Sequence, residues 1–359
     1  MEGARRRRLA GAGERLAARW RRRQRAKVVL LVLAGLLAAG GALALYWTES
    51  LQRLELDTLD ARFGIRGERD PPRNLIVVAI DSYTFGSKEQ GGIGVRWQDW
   101  PRTYHARVIR NLKRDGARVI AYDVQFTEAS GGPRGEEEDL ALYDAADAAR
   151  PVVFATDETD EAACRDPRRF ERRQRSCTNV LGGEPNLRAI RARAGQALFI
   201  EDPQGVIRRM SISINGLKLF GVVTAEVVTG KRIDRLPGGE KTTWIDYAGP
   251  SGTLPSVSFS RVHYGRFRPG TFRGKIVVVG PVTPDLQDVH ATSAGGGNMP
   301  GAEIQANSIQ TALAGFPLRS AREAWDVLAI IVLSLLAPLA SLRLAPLRVA
   351  LVAVGGALA

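Results

Sequence analysis

The chain has 359 residues, 45% of them hydrophobic, a formal net charge of +13 and only two cysteines. The charge is concentrated: residues 1–27 hold eleven Arg and Lys against two Glu, for +9, and residues 325–359 net +1, which leaves +3 for the long middle. A basic tail beside an apolar run is explained by membrane orientation and anionic headgroups. With no basic stripe interleaved with aromatics elsewhere, the composition argues against a nucleic-acid partner.

The basic tail, residues 1–27, runs into an uncharged stretch at residues 28–47. Twenty residues at 1.5 Å rise give about 30 Å, the hydrocarbon thickness of a bilayer, so this stretch predicts a transmembrane helix. Ala42-Leu43-Ala44 resembles a cleavage site, which keeps a signal peptide as the alternative, but the tail is long and the apolar run continues through Trp47. A second apolar run covers residues 325–342, followed by the basic Arg343 and Arg348. Both charge signals place the flanking ends in the cytoplasm and residues 48–323 outside, giving a multi-pass inner-membrane protein with a cytoplasmic N-terminus. A third apolar run at residues 349–359 is too short to cross and reads as the start of a further span. By parity, any cytoplasmic output domain then needs at least a fourth span.

Beyond the first span, Leu56, Leu59 and Phe63 share one helical face while Arg53, Asp57 and Asp60 point away, so the membrane helix is expected to continue as an amphipathic stalk to Arg66. Leu75–Ile80 is a continuous apolar run, the pattern of a strand buried on both faces, and Asp81 ends it. From Thr103 to Arg114, His105, Val108, Ile109 and Leu112 recur at helical spacing, and a second buried strand, Arg118–Tyr122, ends in Asp123. Strand, helix, strand implies a right-handed βαβ unit in a parallel sheet. The pattern repeats with a helix at Glu136–Ala149 and a strand at Pro151–Ala155.

Residues 156–184 form a charged insertion, read as loop, that carries Cys164 and Cys177. Outside the membrane this pair is a disulfide candidate, worth about 3 kcal/mol in the chain-entropy picture, with two free thiols as the alternative. Asp202-Pro203-Gln204-Gly205 between Ala197–Ile200 and Val206–Ile214 predicts a hairpin. Leu217–Val228 reads as a buried helix, Thr243–Tyr247 and Lys275–Val279 as strands. The last predicted helix carries Ala302, Ala306, Ile309 and Leu313 on one face and Glu303, Asn307 and Gln310 on the other.

Several local patterns coincide with a known family. Leu54 to Phe63, Ile76 to Asp81, Trp100-Pro101-Arg102 with His105, Val119 to Phe126, Gly205 to Arg209, Gly274 to Gly280, and Asp288-Val289-His290 before Met299 to Asn307 stand in a characteristic order. In these the chain resembles the CHASE domain of type 2, the cyclase/histidine-kinase-associated sensory extracellular domain of bacterial transmembrane receptors, over about residues 54–317. The resemblance implies an N-terminal span, an outside sensory domain and further spans leading to a cyclase, kinase or similar output. Departures are the Cys164–Cys177 insertion, Gln305 where a His is common, and the absence of an output domain.

The expected fold is α/β, a mostly parallel sheet with flanking helices forming an extracytoplasmic sensor domain, anchored by transmembrane helices at both ends. Asp81 and Asp123, at the carboxyl ends of strands taken as adjacent, are ligand-binding candidates, because ligands of open α/β sheets bind at that edge. Capping of the following turn is the competing role for each. Asp288 and His290 lie near Gly295-Gly296-Gly297, a loop able to close over a ligand; an unpaired surface histidine is the alternative. Trp100 and His105 complete the candidates, against packing for the first and a core histidine bonded to backbone for the second.

No P-loop, dinucleotide fingerprint or Gly-x-Ser-x-Gly turn is present, and three separated histidines do not suggest zinc. A non-catalytic region with no cofactor and no metal is expected. Its partners are the bilayer and an unidentified small-molecule or envelope signal, and Gly35, Ala38, Ala39 and Gly40 would let two first spans meet as a homodimer. A metal-dependent hydrolase using Asp81 and Asp123, and a non-signalling membrane scaffold, are the alternative readings.

Overall fold

The computed structural model describes residues 2–48, 52–166, 168, 176–321 and 323–342. The expected run at 349–359 lies outside them. The chain divides into two units, one of residues Asp57–Arg319 and one formed by Met1–Leu56 with Ser320–Ala359.

In the terminal unit, α1 (Glu2–Trp47) is a single helix that takes in the basic tail as well as the apolar run. Its segment Gln24–Trp47, and the last helix Glu323–Ala340, are long and apolar enough to cross a membrane by length and composition. Leu30 and Leu37 of α1 are 66% and 78% exposed. Gly35 lies directly against Leu335 and the Ser334 carbonyl of the second apolar helix. That small residue therefore serves contact within one chain.

The larger unit begins within α2 (Gln52–Arg66), followed by β1 (Leu75–Ile80) and the one-turn α3 (Ser82–Phe85). Then come α4 (Arg102–Arg114), β2 (Val119–Tyr122), α5 (Gly135–Ala149) and β3 (Val152–Thr156). The chain continues through α6 (Glu161–Arg165), α7 (Glu184–Ala189), β4 (Arg193–Gln196), β5 (Ile200–Glu201) and β6 (Val206–Ser211). After the small hairpin of β7 (Ser213–Ile214) and β8 (Leu217–Lys218) come α8 (Phe220–Thr229), β9 (Thr242–Trp244), β10 (Ser256–Ser258) and α9 (Phe259–His263). The unit closes with β11 (Ile276–Pro281), β12 (Val289–Thr292), β13 (Asn298–Pro300) and α10 (Gly301–Leu313); the second apolar helix is α11.

Six strands form the main sheet in the order β10-β1-β11-β2-β3-β4, every pairing parallel. The apolar runs of β1, β2, β3 and β11 are buried because helices cover both faces, as a parallel sheet requires. Alternate residues feed opposite faces. Val78, Ile120, Phe154 and Val279 meet Ile109, Leu112 and Leu142 of α4 and α5, whereas Val77, Ala121, Val153 and Val278 meet Phe220, Ala306 and Ile309 of α8 and α10.

The β1 and β2 strands, expected to be neighbours, are separated by β11. The most β-branched run in the chain takes the centre of the sheet, where both of its edges are paired. The insertion read as loop contains α6, and Cys164 and Cys177 are disulfide-bonded. Strand β4 and the segment β10–α9 carry no clear apolar period and were not anticipated.

A second sheet, β13-β12-β6-β5 with β9 also on β6, lies beyond α8 and α10. Its Ile207 and Met210 share a core with Val222, Ala225, Ile304 and Ala312, the opposite sides of those two helices. Sandwiching between two sheets explains why α10 is buried all round, including Glu303 and Asn307, which were expected to face outward. Both of these polar groups are bonded: Glu303 accepts from the Gly252 amide at 2.9 Å and Asn307 from the Ala248 amide at 2.9 Å.

Candidate functional site

At the carboxyl ends of β2, β3, β4 and β11 the larger unit opens into a cleft of about 760 Å³. Asp123 follows β2, Asp157 follows β3, Ala197 to Phe199 follow β4, and Pro281 ends β11. The second sheet supplies the facing wall through Glu201 of β5 and His290 of β12, and the loop before β12 adds Asp285 and Asp288. Trp97 and Gln305 also line it. The sheet edge favours such a cleft because the strand ends diverge into separate loops there.

Two glycines allow the carboxylates to sit so close to the helix layer. A side chain at Gly280 would stand 2.9 Å from Ala302 Cβ and 3.0 Å from Asp123 Cβ, so only glycine lets α10 approach the β2 edge. A side chain at Gly301 would collide with the Asp288 carboxylate. Asp288 thereby rests on the first turn of α10, its carbonyl accepting from the Gly301 amide at 3.0 Å, where the helix dipole favours negative charge.

Burial, and secondarily the Asp288 charge, push the Asp123 carboxyl up to about 8, so at neutral pH it carries a proton. His290 shifts the other way on the charge scale: its hydrogen bond to Asp288, at 3.2 Å, and Glu201 at 3.4 Å raise its pKa above the ordinary value and favour imidazolium. The cleft thus holds one neutral acid, several carboxylates and one histidine already engaged by two of them. None of its lining residues is Lys or Arg.

The structure brings Asp123, Asp288 and His290 into one cleft and places the other candidates elsewhere. Asp81 caps α3: its Oδ1 accepts from the Thr84 amide at 2.8 Å, the Thr84 hydroxyl at 2.6 Å and the Ser258 hydroxyl at 2.8 Å. Trp100 is buried, donates its indole N–H to the Val95 carbonyl at 3.0 Å and packs against Phe259. His105 is a core residue, as its place on the apolar helix face suggested, but its Nδ1 pairs with the Tyr122 hydroxyl at 2.8 Å and not with backbone. Burial takes its pKa down to about 3, leaving the ring neutral.

Asp157, Glu201 and Asp285 escaped the sequence reading. Asp157 had the same signal as Asp123, a carboxylate directly after a buried strand; Glu201 and Asp285 have no local signature, because only the packing of the second sheet turns them toward the cleft. Among the described residues, no group of three or more His, Cys, Asp or Glu is gathered as a metal-ion site.

The larger unit is an α/β domain of two sheets and two helix layers, flanked in sequence by apolar helices and open at the carboxyl edge of its main sheet. The chain belongs to the CHASE2 domain family, whose description matches residues 28–339, a range that takes in both apolar helices. CHASE2 is a sensory domain family of extracellular type. No curated protein and no solved structure matches the chain.

Proposed function

We propose that this chain is the extracytoplasmic sensory module of a bacterial membrane receptor, anchored by α1 and α11, which receives a small-molecule signal in the cleft. The region present performs no catalysis and relays occupancy through its flanking helices to a cytoplasmic cyclase, kinase or similar output. The single observation that carries the reading is the cleft itself, at the ligand-binding edge of a sheet in a family of sensory domains. The lining favours an amine or another organic cation: Asp157, Asp285 and Asp288 offer charge, Trp97 and Phe199 offer aromatic faces, and the cationic His290 is offset by Asp288 and Glu201.

The hydrolase reading needs Asp81 and Asp123 at one metal. It finds little support, since the Asp81 carboxyl is committed to Thr84 and Ser258 and does not line the cleft.

The test is thermal unfolding of the full chain in detergent with spermidine, choline, citrate or glucose. The cations are expected to raise the midpoint, and Asp288→Asn to reduce the gain. Equal shifts from citrate, or none from either cation, would sink the assignment of ligand class.

A further inference from the structure

Arg208 lies on β6, the strand that β5, β9 and β12 all pair with, and its side chain is only 2% exposed. Its guanidinium is shared. Nε and Nη2 donate to the two oxygens of Asp60 on α2, at 2.9 and 2.5 Å, and Nη1 donates to Asp202 in the β5–β6 turn. Asp202 also accepts from the Gln204 and Val206 amides, which sets the turn. Gln204 in the same turn reaches Asp57 of α2 at 3.4 Å. The hairpin therefore holds α2 at two successive turns, at Asp60 through the buried Arg208 cation and at Asp57 through the Gln204 amide.

The residue before Asp202 is Glu201, which lines the cleft and faces His290. Strand β5 has two residues, and its register against β6 shifts between Ile200 and Glu201, so few ladder bonds fix it. Below the latch α2 is gripped again by apolar and charged contacts: Phe63 packs edge-on against Tyr247 at 6.3 Å, and Arg66 pairs with Asp246 at 2.7 Å.

We infer that Asp202–Arg208–Asp60 is a latch through which a change at the cleft wall alters the hold on the stalk helix α2. This rests on the sensory reading above but commits to its route. A cation that draws Glu201 into the cleft moves Asp202 with it, and the guanidinium cannot follow Asp202 while keeping both oxygens of Asp60. Arginine suits this role because its planar fork serves two carboxylates at once, which an ammonium does not.

The test is amide hydrogen exchange at residues 57–66 in the full chain, with no ligand needed. Asp60→Asn, at a half-exposed position, opens the latch and is expected to speed exchange there about tenfold, with Arg208→Lys intermediate. Glu201→Lys replaces the His290 partner by a cation in the carboxylate-lined cleft, from within the chain, and is expected to speed exchange at 57–66 about fivefold in the natural background. In Asp60→Asn it is expected to add nothing. A Glu201→Lys effect equal in both backgrounds, or absent from the natural one, overturns the latch. A purely structural Arg208 predicts one of those two results. Failure of the cation screen leaves this outcome unaffected, and failure here leaves the screen standing.

Discussion

Asp123 gives the cleft a titration that stability measurements read directly. A carboxyl whose folded value is raised binds its proton more tightly folded than unfolded, so ionisation opposes folding. The opposition is absent below the ordinary value near 3.8, grows as pH rises and is complete above about 8. Asp123→Asn is therefore expected to match the natural chain at pH 4 and to exceed it by on the order of 1–2 kcal/mol at pH 8, after allowing for the open cleft mouth. Denaturant melts across that range check this, and a pH-independent difference would contradict it. The raised histidine has the opposite window: His290 contributes stability below its unfolded value near 6.5 that is lost as pH climbs through the folded one. Asp123 was legible because a carboxylate directly after a buried strand is recognisable in sequence. Asp81 obeyed the same rule yet became a cap, because Thr84 stands three residues on to receive it. The choice between these roles depends on β10 and Ser258, which arrive from far along the chain.

Among the elements, those with a single apolar period were readable: β1, α4, β2, α5, β3 and β11 all fall within two residues of their expected limits. Strand order was not, since β11 enters between β1 and β2 from 150 residues away and no local pattern records it. Strand β4, Arg193–Gln196, mixes polar and small residues and has no strand signature of its own. Its place at the sheet edge depends on Gly195, where a side chain would stand 2.5 Å from the Phe220 backbone of α8. Gly195→Ala has no flexible neighbour to displace. It is expected to cost about 1–3 kcal/mol and to loosen the Ala197–Phe199 wall of the cleft. Chemical denaturation together with hydrogen exchange at 193–199 measures both, and unchanged stability would show that α8 can give way. The stalk α2 is the converse case. Its apolar face was visible in Leu59 and Phe63, but Asp57 and Asp60, read as pointing away, are the residues that hold the β5–β6 turn.

For the whole molecule, membrane length and positive charge set the account, and two findings are compatible with it. A disulfide joins Cys164 to Cys177, as oxidising surroundings permit, and the family range includes both apolar helices. Sensing an outside signal requires the 57–319 unit to lie beyond the inner membrane, which is the central claim. Leu140, 52% exposed on α5 and part of neither the cleft lining nor the latch, offers the most direct probe. Leu140→Cys in intact cells is expected to react with a membrane-impermeant maleimide at the same rate before and after permeabilisation. Labelling that appears only after permeabilisation would place the domain in the cytosol and contradict the receptor assignment.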